Sequence, residues 1–424
     1  MQCVDRWKKA GLRGTCLGAV GFGKTNIGLF AMRRVVNANP KCKCILVVPS
    51  QPVAEQWKKS IIKCGLSGNV YIYTKEIAAR DYKMLSCDFL VIDEVHEIAT
   101  PSKVNIFGIS YKLILCLTAT LERLDGNDKI IRKIAPVCDE VSMDECVRNK
   151  WTSNFCIYKI LVDVDLAEYN SLTQKFKNLF SYFNFEFGVP TTILADANFR
   201  KSYVTSVAEE KMYSGDYYDR NAAYKDALAE VMSSAKEFIS VVNKRKQFIY
   251  SHEKKIEVAR RIIDARKNGK GITFWNTIED ARRVERGCVY ASPNKKNGLT
   301  KKKCQIILNE FKKSKYGVIN TVKALNTGFD CPDITYGIAG GFDSSKTRRK
   351  QSNGRIQRIN DLTKDKKAEI FYIILRGTKD EDWAELALKG QPTLTILESD
   401  LDDFLSGKEI MFVPSREKQN ATRY

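Results

Sequence analysis

Short, nearly continuous apolar runs recur in the first third of the chain, at residues 45–48, 89–92 and 113–117. A strand wetted on one face alternates apolar with polar residues, whereas an unbroken apolar run marks a strand covered on both faces, as in a parallel sheet. Between the runs the period changes to that of a helix, over residues 25–36 and 52–64. Alternating strand and helix predict an α/β domain with a doubly wound parallel sheet. Such sheets place ligands beyond the carboxyl ends of their strands, and three polar segments fall there: 18–25, 93–96 and 118–120.

A second series of apolar runs at 271–275, 317–321, 336–339 and 369–375 predicts a second α/β domain, one without a phosphate loop of its own. From about 165 the pattern turns helical, with apolar spacing over 169–183 and 221–242 and few β-branched runs. The expected division is 1–164 for the first domain, 165–245 for a mainly helical insertion between the domains, and 246–424 for the second. Within the insertion, Phe180, Tyr182, Phe183, Phe185 and Phe187 suit either a core or a platform for stacking bases.

The 424 residues suffice for two or three cores, and their net charge of +20 favours a polyanionic partner, nucleic acid before an anionic membrane. No apolar stretch is long enough to span a bilayer, and Asp5, Arg6, Lys8 and Lys9 stand where a signal sequence would be apolar. A cytoplasmic protein is expected, in the host cytoplasm for a phage-encoded one, and a monomer. The thirteen cysteines include no Cys-x-x-Cys pair, so structural zinc is not expected. Several lie inside apolar runs, where a thiol behaves as a small hydrophobe. Basic segments at 301–303, 312–313 and 346–350 suit phosphate contact or ordinary solvated surface.

The chemistry is concentrated in the three strand-end segments. Gly18-Ala19-Val20-Gly21-Phe22-Gly23-Lys24-Thr25 fits G-x-x-x-x-G-K-[ST] in full. Its glycines let backbone N–H groups close around phosphates, Lys24 adds a point charge, and the Thr25 hydroxyl can reach Mg²⁺. Downstream, Asp93-Glu94-Val95-His96 follows an apolar strand. Phosphoryl transfer needs two carboxylates with separate tasks, Asp93 for the metal and Glu94 for the attacking water. ATP and Mg²⁺ are therefore the expected cofactors.

With 117–120 (Leu-Thr-Ala-Thr), 317–333 and 351–358, these segments resemble, in order, motifs I, II, III, V and VI of superfamily 2 helicases. The resemblance implies two RecA-like domains in tandem, with ATP bound between them and a nucleic-acid strand across both. It implies that His96, Thr118 and Thr120 couple nucleotide state to the interdomain contact, and that Gly328 and Asp330 stand near the nucleotide at the interface. Gln351, Arg355 and Arg358 match Q-x-x-G-R-x-x-R of motif VI, with the arginines as fingers toward the γ-phosphate and Gln357 where many relatives have glycine. Pro49, Ser50 and Gln56 resemble motif Ia, and Asn276 with Thr321 fall in motifs IV and V, all as nucleic-acid contacts. Gln2 is the candidate for adenine.

The Val95–His96 form of the acidic box, with a compact frame and a long insertion, is most similar to phage branch-migration and recombination helicases. That implies remodelling of branched or single-strand-containing DNA: branch migration, fork regression or partial unwinding. Exchanging one paired arm for another roughly conserves base pairs, whereas opening duplex costs about 1.4 kcal/mol per step. Three alternatives share the motifs: an RNA-remodelling helicase, a restriction-type duplex translocase, and an ATP-switched nucleic-acid clamp.

Overall fold

The computed structural model describes residues 2–19, 22–121, 126–294, 298–322, 331–341, 353–354, 356–357, 366–389 and 391–413, without the side chains of 143 and 144. Six parallel strands form the first sheet: β1 Arg13–Gly18, β2 Cys44–Val48, β3 Val70–Thr74, β4 Phe89–Asp93, β5 Leu113–Thr118 and β6 Val137–Val141, in the order β3-β2-β4-β5-β1-β6. The unbroken apolar runs have the predicted cause. In β2, Cys44, Leu46 and Val48 enter one core layer with Phe89, Val91, Leu115 and Leu117, while Ile45 and Val47 enter the opposite layer with Leu90, Ile92, Ile114 and Cys116. Each fully buried aliphatic side chain contributes roughly 1.5–3 kcal/mol, so both faces of the sheet are anchored independently.

The second sheet holds seven parallel strands: β7 Asn154–Val162, β8 Lys270–Trp275, β9 Cys288–Ala291, β10 Gly317–Val322, β11 Tyr336–Ala339, β12 Lys367–Leu375 and β13 Thr393–Leu397, in the order β13-β7-β12-β11-β8-β10-β9. Its first strand departs from the sequence-based division. Residues 154–162 fall within the expected first domain, yet β7 pairs along its full length with β12, from Asn154 opposite Lys367 to Val162 opposite Leu375. The helical stretch after β7 therefore interrupts the second sheet domain instead of separating two complete ones.

That stretch contains helices Ala167–Tyr182, Val189–Ala195, Ala197–Tyr213 and Arg220–Tyr250. The 31-residue last helix, about 46 Å long at 1.5 Å per residue, buries Ala223, Ala227, Val231, Ala235 and Phe238. Alanines four and eight residues apart leave a shallow face, against which Phe183, Ile193, Val204 and Ala208 pack. The aromatic cluster divides accordingly: Phe183 is core, whereas Phe185 and Phe187 are exposed. Among the described residues, no helix is long and apolar enough to cross a membrane.

Candidate active site

Strands β4, β5 and β1 are consecutive neighbours, with Asp93 opposite Leu117 and Leu17 opposite Thr118. The register brings Gly18, Asp93 and Thr118 to one edge of the sheet. From Gly18 the chain turns into helix Lys24–Ala38, entered through Gly23 in the left-handed region at φ 91°. A side chain at Gly23 would be strained there. At Gly18 a Cβ would stand 2.7 Å from the Phe22 ring, so the loop closes only because that atom is missing. The first N–H groups of the helix have no intrahelical acceptor and point into the loop, which suits phosphate oxygens.

Lys24 reaches across this loop, its Nζ 3.4 Å from the Gly18 carbonyl and 3.7 Å from Glu94 Oε1. Glu94 itself is left-handed, at φ 49° and ψ 51°, and opens the single turn Val95–Glu97. A non-glycine residue in this region costs on the order of 1–2 kcal/mol, a strain typical of functional turns. The reversal sends adjacent carboxylates in different directions. Asp93 Oδ2 accepts the indole N–H of Trp57 at 2.9 Å and Oδ1 accepts the Glu94 backbone N–H at 3.0 Å, while Glu94 faces Lys24 and His96.

Burial, then the charge of Glu94, push the Asp93 carboxyl up to about 6, against the opposing pull of the Trp57 donor, Lys24 and the Glu94 N–H. A carboxylate disfavoured by burial and by a like charge gains most from a cation, which would offset both causes. Glu94 Oε2 is buried and, among the described residues, accepts no hydrogen bond; it forms an ion-pair contact with His96 Nδ1 at 3.4 Å. A buried carboxylate oxygen that accepts no hydrogen bond among the described residues suits a group that must take a proton from water. Thus the residues present fit a metal–nucleotide: Gly18, Gly23 and Lys24 for phosphates, Asp93 and Thr25 for the metal.

A buried polar relay leaves Glu94. His96 Nδ1 lies 2.8 Å from Thr118 Oγ1, which donates to the Thr120 carbonyl at 2.8 Å and accepts the Thr120 N–H at 3.3 Å. The hydroxyl has one proton; with it on the Thr120 carbonyl, Nδ1 of His96 carries the other. His96, Thr118 and Thr120, expected to couple nucleotide to domain contact, are thus joined in one network and all buried.

Trp57 was not expected here. Its sequence neighbourhood resembles a nucleic-acid motif, yet its ring is 1 % exposed and holds the metal-side carboxylate. Helix Gln51–Lys63 buries Val53, Ala54, Trp57 and Ile61, so the helical spacing already turns Trp57 inward. Gly28 accommodates the indole: a Cβ there would lie 2.7 Å from Trp57 Cη2.

The remaining candidates are dispersed. Gln2 is exposed at the start of helix Gln2–Lys9. Further down that helix Trp7 donates to the Ile114 carbonyl, and Arg6 pairs with Asp139. Among the expected nucleic-acid contacts Gln56 is exposed, Ser50 and Asn276 are half-buried, and Pro49 is buried. Thr321 requires correction: β10 lies between β8 and β9, the residue is 1 % exposed, and its hydroxyl donates to the Thr273 carbonyl at 2.7 Å. Its side chain is spent inside the sheet. Gly21, Gly328, Asp330, Gln351, Arg355 and Arg358 lie outside the described residues.

Flanking segments of the second domain are pinned. Gln357 N–H donates to the Asn353 carbonyl, closing one helical turn, and Asn353 Oδ1 accepts the Tyr372 hydroxyl at 2.8 Å. Lys366 Nζ donates to the Pro332 and Ile356 carbonyls at 2.7 and 2.8 Å, and its burial lowers the ammonium pKa to about 8. Lys270, also buried, holds Asp333 at 2.8 Å.

Residues 254–360 match the family described as helicase conserved C-terminal domain, and residues 1–84 match type III restriction enzyme, res subunit. The DNA 3'-5' translocase XPB2 of Sulfurisphaera tokodaii is 26% identical over 400 residues, covering 89% of this chain and 81% of that protein. Among solved structures, S. cerevisiae Dbp5 bound to RNA and ADP BeF3 aligns with a TM-score of 0.56 at 12% identity, over 93% of this chain and 88% of that one. The Pyrococcus furiosus Hef helicase domain aligns at 0.51 and 14%, over 89% and 95%. The type ISP restriction-modification enzyme LlaBIII bound to DNA aligns at 0.52 and 13%, over 92% of this chain and 29% of that one. At these identities the structural likeness establishes the fold, two RecA-like domains. One sheet holds the phosphate loop and acidic box and the other carries the helicase C-terminal match; the chain is an ATP-dependent helicase, similar to those of superfamily 2.

Proposed function

We propose that the protein is an ATP-driven motor on DNA that remodels branched molecules by branch migration, fork regression or partial unwinding. The observation that carries hydrolysis is the pairing of Lys24 with Glu94 beside Asp93, with Glu94 Oε2 buried and, among the described residues, accepting no hydrogen bond. In this reading Lys24 and the loop N–H groups bind the phosphates, Asp93 and Thr25 hold Mg²⁺, and Trp57 orients Asp93. ATP supplies the phosphoanhydride that is hydrolysed, and Mg²⁺ neutralises charge on its phosphates. Glu94 takes the proton of the attacking water, and the His96–Thr118–Thr120 network relays the state of Glu94 beyond the site. By resemblance, Arg355 and Arg358 act as fingers assisted by Gln351, and Gly328 with Asp330 complete the nucleotide site.

DNA is favoured over RNA by the likeness to an archaeal protein called a DNA translocase. Charge supports backbone tracking by the sheet domains. Residues 165–250 contain eleven Lys or Arg and eleven Asp or Glu, so the net +20 belongs to the rest of the chain. The test compares a four-way junction with a plain fork of equal arm length, with ATP. Faster processing of the junction is expected; equal or faster work on the fork contradicts the branched-DNA reading, and a strict requirement for RNA contradicts the choice of DNA.

A further inference from the structure

The short segment joining the two sheets is built as a lever. Helix Met143–Arg148 ends in a Schellman arrangement: Lys150 N–H donates to the Val147 carbonyl at 3.0 Å, and Trp151 N–H to the Cys146 carbonyl at 2.8 Å. This motif places its pivot in the left-handed region, usually as glycine, and Lys150 occupies it at φ 55°. The cap therefore fixes the direction in which Trp151 leaves the helix. Its indole packs on Phe22 of the phosphate loop, with centroids 5.2 Å apart and planes at 46°.

Two residues on, Ser153 N–H donates at 3.0 Å to the carbonyl of Gln357, in the turn whose neighbouring carbonyl, on Ile356, is held by Lys366. The junction is not fully satisfied. Ser153 Oγ and Gln357 Oε1 are both buried and, among the described residues, without a hydrogen-bond partner. Unpaired buried polar atoms on both sides of one contact mark a joint able to re-pair when its elements shift.

We propose that Trp151 is a positioning residue that transmits the state of the phosphate loop, through Phe22 and the 151–153 segment, to the turn at 353–357. The proposal rests on reading residues 18–25 as the ATP cradle. Trp151 touches no reacting atom in this role; it sets how the motif VI turn is presented to the loop. At 43% exposure its indole is not a core element, so truncation should leave the fold standing.

The experiment uses the full chain and measures ATP hydrolysis with saturating single-stranded oligo-dT. Trp151→Ala should lower kcat about tenfold, within the range of mutations along a coupling network, and leave KM for ATP within about twofold. Trp151→Phe should restore most of the rate. Phe22→Ala should show a similar kcat loss, and the Phe22→Ala/Trp151→Ala pair should be no slower than the slower single variant. The indole should also contribute to the fluorescence change on nucleotide binding, so that the change is smaller in Trp151→Phe than in wild type. Unchanged kcat in Trp151→Ala, or losses that multiply in the double variant, overturn the proposal. So does a raised KM at constant kcat, which makes the indole a nucleotide contact. If Lys24→Ala still hydrolyses ATP, the cradle reading itself fails; if Lys24→Ala is inactive while Trp151→Ala is normal, only the coupling fails.

Discussion

Trp57→Phe is expected to weaken metal use without stopping catalysis. The substitution removes the indole N–H that meets Asp93 Oδ2 at 2.9 Å and keeps an aromatic ring on the Gly28 side of the core. A hydrogen bond to a charged acceptor contributes about 1.5–3 kcal/mol, and water cannot readily replace the donor behind a ring this deeply buried. Lys24 and the Glu94 N–H still favour the carboxylate, so the lower end applies. About 1.4 kcal/mol corresponds to a tenfold rise in the Mg²⁺ concentration for half-maximal hydrolysis. The assay is a Mg²⁺ titration of steady-state ATP hydrolysis at saturating ATP and oligonucleotide. At high Mg²⁺ the variant should recover a rate within about twofold of wild type, because Glu94 and Lys24 are untouched. An unchanged midpoint refutes the assignment of Trp57 as the residue that orients Asp93. A rate loss that added Mg²⁺ cannot restore refutes it equally, since the defect would then lie in the chemistry.

Two further predictions concern stability. Lys366 has its pKa lowered from 10.5 to about 8, so between those values the folded chain binds fewer protons than the unfolded one and stability rises with pH. Lys366→Met should abolish this group's share, at most about 3 kcal/mol, and denaturant melts of both proteins at pH 8 and 10.5 check it; parallel pH dependences count against the buried-ammonium account. Lys150→Gly should raise stability by about 0.5–1 kcal/mol, left-handed strain relieved less glycine's larger chain entropy. A lower denaturation midpoint would show that Lys150 makes a compensating contact.

Elements whose periodicity is local were legible in the sequence. Residues 45–48, 89–92 and 113–117 read as doubly covered strands because both faces of each are apolar, and the strand ends then located Gly18, Asp93 and Thr118 together. What depended on distant pairing was not. Strand β7 adjoins the first sheet in sequence, but its partner β12 lies some 200 residues away, and nothing in Asn154–Val162 alone names that partner. Thr321 looked available because its motif meets nucleic acid in the resembling family; the position of β10 between β8 and β9, which buries its hydroxyl, is a property of strand order. Trp57 and Trp151 had no local signature of their contacts, because Trp57 meets Asp93 through the docking of its whole helix and Trp151 meets Phe22 through the segment that joins the two sheets.

The central claim is that ATP is hydrolysed at the paired carboxylates of residues 93 and 94 and that nucleic acid drives this. Its most direct test is Glu94→Gln, which keeps the size of the side chain and removes the proton acceptor. ATP hydrolysis with and without single-stranded DNA is measured beside DNA binding. Wild type should be stimulated by DNA, and Glu94→Gln should bind DNA normally while hydrolysing ATP at least about a hundredfold more slowly. Wild-type hydrolysis by Glu94→Gln, or a wild-type rate indifferent to nucleic acid, would contradict the account.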